Sequence, residues 1–294
     1  MSTKRFAVIG DPVGHSASPR MHTAAFEALG LDCTFEAIRA TERDLPHLVA
    51  ALEAGEFAGL NVTIPHKRRV LAYVDLVDAS ARTVGAANTL VRAADGRVVA
   101  HNTDVTAIAA ELRAMTHDIP PAGWKKAHAL VLGTGATARS AVVALGRHIG
   151  VARITVRGRA LEDDDQRDAY MAEVGELLHR AGSESELRLE PWAPIATTDE
   201  QVLAIVQATN IGMEGGDPGE IAAEAVAWRA VFPESVALDV VYTRHMTPFL
   251  HAARSHGMRI ADGYGMLARQ GALAFELWFH RHAPLDVMRA ALTP

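Results

Sequence analysis

Short unbroken apolar runs alternate along the chain with longer stretches whose apolar residues recur every three or four positions. That is the pattern of strands buried on both faces alternating with amphipathic helices. Residues 6–9 (Phe-Ala-Val-Ile) form the first run, and Gly10-Asp-Pro ends it. Ser18 followed by Pro19 has the form of a helix N-cap with proline at the first helical position, which predicts a helix to Leu29 with Gly30 as its stop. A strand over 33–38, a helix over 45–54 and a buried strand over 59–64 follow, giving βαβαβ order. Pro65 ends the third strand, so His66 and Lys67 are expected at its carboxyl edge, where open parallel sheets present the residues that touch ligands. Residues 84–99 read as a hairpin turning at Asp95-Gly96, and Asn102-Thr103-Asp104 opens a helix to about Met115.

The pattern then restarts. Pro120-Pro121 and Gly123 read as a linker, and a strand over 129–132 runs into Gly133-Thr134-Gly135-Ala136-Thr137-Ala138. A helix over about 137–147 and a strand over 153–156 complete a second βαβ unit, and strands over 187–189, 204–207 and 236–240 extend it. Residues 263–279 have the apolar spacing of a helix that carries the chain back to the first domain. The expected fold is α/β with two domains and an interdomain cleft. An N-terminal α/β domain spans 1–104, a Rossmann-like dinucleotide-binding domain spans 105–262, and 263–294 forms helices returning to the first.

A length of 294 residues suits two such domains, and 49% hydrophobic residues against 22% charged is enough apolar material to fill two cores. The formal charge of -6 is spread over mixed acids and bases, which argues against nucleic acid or an anionic membrane surface as partner. Cys33 is the single cysteine, so no intramolecular disulfide or multi-cysteine metal site is possible, and a reducing cytoplasm is expected. MSTKRFAVIG lacks the apolar stretch of a signal peptide, and no run of about 18 apolar residues predicts a membrane span. The charge run Leu161-Glu-Asp-Asp-Asp165 reads as a solvated loop or helix start.

Candidate chemistry concentrates in four places. Gly133-x-Gly135-x-x-Ala138 lies between a predicted strand and helix, where close backbone approach and helix N-terminal amides bind a pyrophosphate. The next strand ends in Arg157-Gly-Arg159, and cations there favour the 2'-phosphate of NADP over the ribose hydroxyls of NAD. Lys67 and Asp104 each read alone as a surface charge and a helix cap. Taken together they are an ammonium and a carboxylate, which meet the need of hydride transfer to a ketone for a proton donor and a group that orients it. Ser16 and Ser18 flank the start of the first helix, where hydroxyls and the positive helix end suit a carboxylate. His15 and His66 are read as polar loop residues outside the mechanism, and the histidines show no metal-ligand spacing.

In this order the motifs resemble the shikimate dehydrogenase family over almost the whole chain. They are Gly10-Asp-Pro-Val-Gly-His-Ser16-Ala-Ser18-Pro, Asn61-Val-Thr63-Ile-Pro-His-Lys67, Gly85-Ala-Ala-Asn88-Thr-Leu, Asn102-Thr-Asp104, Ala208-Thr209-Asn-Ile-Gly-Met213, Asp239-Val-Val-Tyr242 and Asp262-Gly263-Tyr-Gly-Met-Leu-Ala-Arg-Gln270. The resemblance implies reversible reduction of 3-dehydroshikimate to shikimate with NADPH, toward the aromatic amino acids. It implies that Ser16 and Ser18 hold the substrate carboxylate, that Thr63, Asn88, Tyr242 and Gln270 place the ring, and that Lys67 and Asp104 are the catalytic pair. Gly133, Thr134, Gly135, Ala136 and Thr137 are then expected at the pyrophosphate, with Thr209, Val240 and Gly263 on the cofactor side. Arg159 best matches the phosphate-binding arginine, with Arg157 as helper.

The chain departs from the family pattern at Thr23, His101 and Val105-Thr-Ala107, and it lacks the frequent Asn-Arg-Thr run of the 2'-phosphate loop, which leaves NAD possible. The alternatives are a quinate or dual quinate/shikimate dehydrogenase using NAD or NADP, a non-catalytic dinucleotide-binding sensor, and a folate-linked dehydrogenase of similar plan. The paired serines and Gln270 disfavour the last. A small-molecule substrate and a monomer or homodimer are expected.

Overall fold

The computed structural model describes residues 3–192 and 202–293. The chain divides into two compact units, Met1–Asp104 with Leu267–Pro294, and Val105–Met266.

The first unit opens with β1 (Lys4–Gly10), α1 (Ser18–Ala28), β2 (Cys33–Arg39), α2 (Leu45–Ala54) and β3 (Gly59–Val62), the βαβαβ order expected from the apolar runs. After β4 (Leu76–Val77) and α3 (Ala79–Val84) comes the hairpin of β5 (Thr89–Arg92) and β6 (Val98–His101), closed around Asp95-Gly96. The sheet order is β2-β1-β3-β5-β6-β4. β5 alone runs against its neighbours, so β1, β3 and β6 all end on one edge. One face of this sheet is filled by Ile9, Leu45, Leu52, Leu60, Val62 and Leu90, all at or below 2% exposure.

The second unit takes α4 (Asp104–Met115) from Val105 onward and then the one-turn α5 (Pro121–Trp124). Trp124 is buried, so the proline pair read as a linker opens a packed turn inside the unit. Then follow β7 (His128–Leu132), α6 (Ala136–Val143), β8 (Arg153–Arg157), α7 (Asp164–Arg180), β9 (Glu186–Glu190), β10 (Val202–Gln207), α8 (Glu220–Glu224), β11 (Val231–Asp239), α9 (Pro248–Ser255) and β12 (Arg259–Ala261). The acidic run before α7 is its start: Asp163 caps the helix by accepting from the Gln166 N–H, and acids in the first turn suit the positive helix end. All six strands are parallel in the order β12-β11-β10-β7-β8-β9, so the order reverses between β7 and β10. Open α/β sheets bind ligands at the carboxyl side of such a reversal.

Helix α10 (Gly263–Phe279) and α11 (Leu285–Leu292) end the chain, and α10 from Leu267 onward belongs to the first unit. There Phe275, Trp278 and Phe279 interleave with Phe6, Phe26, His22 and Phe35 at centroid distances of 4.4 to 6.2 Å. Gly59 admits this packing, because a Cβ there would lie 2.3 Å from Trp278 Nε1, which donates to the Leu90 carbonyl at 3.0 Å. Among the described residues no helix is long and apolar enough to cross a membrane.

Candidate active site

The loops that leave the shared edge of the first sheet carry its polar residues. β1 and β3 end side by side, and Gly10 lets their loops touch: an added Cβ would sit 2.4 Å from Thr63 Cγ2 and 2.8 Å from the Ile64 carbonyl oxygen. The Asp11 N–H donates to that same carbonyl at 2.9 Å, which fastens the serine loop to the lysine loop. Ser18 is buried as the first residue of α1, and the cap position is Ala17 with no side-chain bond. The N-cap reading of Ser18 is therefore corrected: Ser16 Oγ accepts the Ser18 N–H at 3.3 Å and shapes the turn. Both hydroxyls stay at the positive end of an 11-residue helix, a place suited to an anion.

Lys67 follows β3, and its backbone is held by the Ala87 N–H donating to the Lys67 carbonyl at 2.7 Å. Its Nζ donates to Asp104 Oδ2 at 2.8 Å, with side-chain exposures of 12% and 3%. The other carboxylate oxygen, Oδ1, accepts from Asn88 Nδ2 at 2.8 Å. Asn88 reaches this place because it immediately precedes β5, whose antiparallel course puts its start beside the ends of β3 and β6. The Thr103 N–H donates to Asn88 Oδ1 at 2.8 Å. A backbone N–H only donates, so this bond fixes which end of the amide is oxygen. The amide nitrogen then faces Asp104, Thr103 Oγ1 (2.8 Å) and Gln270 Oε1 (3.3 Å). Asp104 also stands in the first turn of α4, where the helix end favours its charge. The result is a nearly buried carboxylate gripped on both oxygens, with an ammonium on one side, in reach of an exchangeable proton.

His66, read as a polar surface residue, is 1% exposed, and its Nε2 lies 2.6 Å from the Ala40 carbonyl. It anchors the loop from behind. Thr103 was missed as a site residue, and its place in Asn-Thr-Asp beside the carboxylate was the only local sign.

In the second unit the glycine loop lies at the reversal of strand order. Gly133 has φ +110°, and a Cβ on it would lie 2.9 Å from Thr209 Cγ2 and 3.1 Å from the Ala208 carbonyl oxygen, so only glycine lets the loops after β7 and β10 approach. Gly135 is the N-cap of α6, and an added Cβ there meets nothing within 4 Å. That open space over helix amides, bordered by half-buried Thr134, Ala136 and Thr137, fits the pyrophosphate of a dinucleotide.

Arg159 is half exposed on the turn after β8, 2.7 Å from Asp217 Oδ2 and with its guanidinium 5.7 Å from the centre of the Trp192 ring. Arg157 contradicts its expected helper role. It is 8% exposed, donating to Glu190 Oε2 and the Ala225 carbonyl, each at 2.7 Å, so its charge is spent inside the unit. The hydroxyl and N–H of Thr209 both donate to Gln207 Oε1 (2.7 and 2.6 Å), which shapes the loop after β10.

Val240 and Gly263 abut, since a Cβ on Gly263 would lie 2.3 Å from the Val240 carbonyl oxygen. Tyr242 is also in this unit, its ring 5.4 Å from that of Tyr264, whereas the other residues expected at the substrate belong to the first unit. Asp239, which ends β11, is fully buried. It accepts from Thr247 Oγ1 (2.6 Å) and the Val241 N–H (3.0 Å), while burial pushes its carboxyl up to about 7. Among the described residues no group of three or more His, Cys, Asp or Glu side chains is placed to hold a metal ion.

Comparison with known proteins agrees with this geometry. Residues 8–90 match the model of the shikimate dehydrogenase substrate binding domain, and residues 263–293 match that of the shikimate 5'-dehydrogenase C-terminal domain. The NADP(+) shikimate dehydrogenase of Anaeromyxobacter sp. is 39% identical over 290 residues, covering 99% of this chain and 96% of that one. The crystal structure of Thermus thermophilus shikimate 5-dehydrogenase in complex with NADP(H) and shikimate has a TM-score of 0.76 at 33% identity, over 98% of each chain. Ligand-free 5-ketofructose reductase of Gluconobacter sp. has a TM-score of 0.80 at 28% identity, over 99% of this chain and 98% of that one. With an aligned relative of that name over nearly its full length, this chain belongs to the shikimate dehydrogenase family.

Proposed function

We propose that the protein is an NADP-dependent shikimate dehydrogenase, which reversibly reduces 3-dehydroshikimate to shikimate on the way to the aromatic amino acids. Nearly full-length likeness to proteins of that name supports the activity. The observation that carries the chemistry is the buried Lys67–Asp104 pair, oriented by Asn88. NADPH, when bound, supplies the hydride to the carbonyl carbon. Lys67 gives a proton from Nζ to the carbonyl oxygen as negative charge develops there. Asp104 holds the ammonium with one oxygen and accepts from a substrate hydroxyl. Thr63, Asn88, Tyr242 and Gln270 position the ring, and Ser16 and Ser18 hold the carboxylate at the start of α1.

The first unit is thus the substrate and catalytic domain, and the second holds the nucleotide. Gly133, Thr134, Gly135, Ala136 and Thr137 take the pyrophosphate, Arg159 takes the 2'-phosphate, and Thr209, Val240 and Gly263 serve the nicotinamide side. A cytoplasmic location fits the single cysteine.

The test is turnover of shikimate and quinate, each with NADP and NAD, with 5-ketofructose added because a reductase of that sugar shares the architecture. Shikimate with NADP should give the highest kcat/KM. A clear preference for quinate with NAD would overturn the assignment.

A further inference from the structure

Behind Asn88 lies a set of buried polar side chains that the chemistry above does not use. Asn61 sits on β3, where every neighbour in the strand is buried. Its Nδ2 donates to the Asn88 carbonyl and to Thr89 Oγ1, each at 3.2 Å. Thr89, wholly buried at the start of β5, passes the polarity on: its hydroxyl donates to Asn88 Oδ1 at 3.3 Å. Because the Asn61 nitrogen is turned toward β5, its oxygen faces the other way. Asn61 Oδ1 is buried and has no hydrogen-bond partner, and so are both ring nitrogens of His22 on α1.

His22 is completely buried, stacked on Phe35 at 4.4 Å with the rings 6° from parallel. Desolvation lowers its pKa to about 3, and Asn61 is the polar group that acts against that shift. The ring is therefore neutral and carries one N–H. A buried histidine among aromatics normally finds a partner or is replaced by an apolar residue, since an unpaired buried donor costs about 1 to 3 kcal/mol.

We infer that Asn61 and Thr89 form a buried polar spine that positions Asn88, and through it Asp104, for the proton transfer by Lys67. The inference rests on the catalytic pair proposed above. The hydrogen bonds of the spine run one way: Asn61 to Thr89, Thr89 to Asn88, and Asn88 to Asp104. Head-to-tail hydrogen bonds polarise one another in a low-dielectric interior, so the last N–H, aimed at Asp104 Oδ1, is the one strengthened. That donation orients the carboxylate that holds the Lys67 ammonium. Neither Asn61 nor Thr89 touches the reacting atoms in this scheme. They are positioning residues, and a change in them should appear in kcat rather than in cofactor binding.

The test uses Thr89→Val and Thr89→Ser in the full chain, assayed for shikimate oxidation with NADP. Thr89→Val should lower kcat by about tenfold, with the cofactor Kd unchanged. Thr89→Ser, which keeps the hydroxyl, should restore kcat.

A folded Thr89→Val enzyme with wild-type kcat would overturn the spine. So would a Thr89→Val defect that Thr89→Ser does not relieve. A Lys67→Ala control separates the two levels: if that variant retains turnover, the catalytic pair itself is wrong, whereas its loss beside an unaffected Thr89→Val condemns only the spine.

Discussion

Replacing Asp239 with asparagine should make the second unit more stable at neutral and alkaline pH, and by an amount that grows with pH. Burial raises this carboxyl from 3.8 to about 7 in the folded protein. About three units, at roughly 1.4 kcal/mol each, amount to a ceiling of about 4 kcal/mol. The sign follows from which state holds the proton. Between pH 4 and 7 the folded chain keeps it and the unfolded chain has released it, so this group makes stability fall as pH rises through the window, with the full loss present above pH 7. Asparagine carries no titrating proton. Its oxygen still accepts the Val241 N–H, and its nitrogen donates to Thr247 Oγ1, which reproduces the protonated acid. Urea unfolding of both proteins at pH 5, 6, 7 and 8 measures the difference directly. The variant should already be ahead by about 1.5 kcal/mol at pH 5, and the gap should widen steadily to about 4 kcal/mol at pH 8. A constant gap across that range, or a less stable variant at pH 8, would show that the carboxyl is already ionised in the fold and refute the reasoning.

Other outcomes follow from the same structure. Lys67→Ala should lose about 3 kcal/mol or more of transition-state stabilisation in kcat/KM while the protein remains folded, and steady-state kinetics reads this directly. Arg159→Gln should weaken NADPH binding far more than NADH binding in a fluorescence titration; equal effects on both would remove Arg159 from the 2'-phosphate. Arg157→Gln should leave the ratio of the two cofactor affinities intact but lower stability by about 1 to 3 kcal/mol, because it strands the half-buried Glu190 carboxylate. Gly59→Ala should cost about 1 to 3 kcal/mol, seen as a lower Tm, since its methyl meets the Trp278 ring.

The elements of the fold were largely legible because they rest on local periodicity. The runs at 6–9, 59–64 and 129–132 are the strands β1, β3 and β7, and the glycine positions mark where loops must approach closely. Where local reading failed, a tertiary contact had overruled it. Pro120-Pro121 looked like a linker until Trp124 was seen packed inside the second unit. Ser18-Pro19 looked like a cap and its proline, yet the helix starts at the serine itself. Arg157 and Arg159 are two residues apart and equal in charge, but the parallel neighbour β9 brings Glu190 to the first and leaves the second on a turn.

By itself, the sequence determined the alternation of strands and helices, the glycine loop at a strand-to-helix turn, and the presence of Lys67 and Asp104 at loop edges. Each of these is written in residues close together along the chain. Only the tertiary structure decided that Lys67 and Asp104 share a hydrogen bond 37 residues apart, and that Asn88 and Gln270 meet across 182. It alone also showed that Asn61 reaches Thr89 and the Asn88 carbonyl in the core under the site. Propensity and periodicity act over a few residues, whereas a hydrogen bond's partner is chosen by which strands pair and which helices pack upon them.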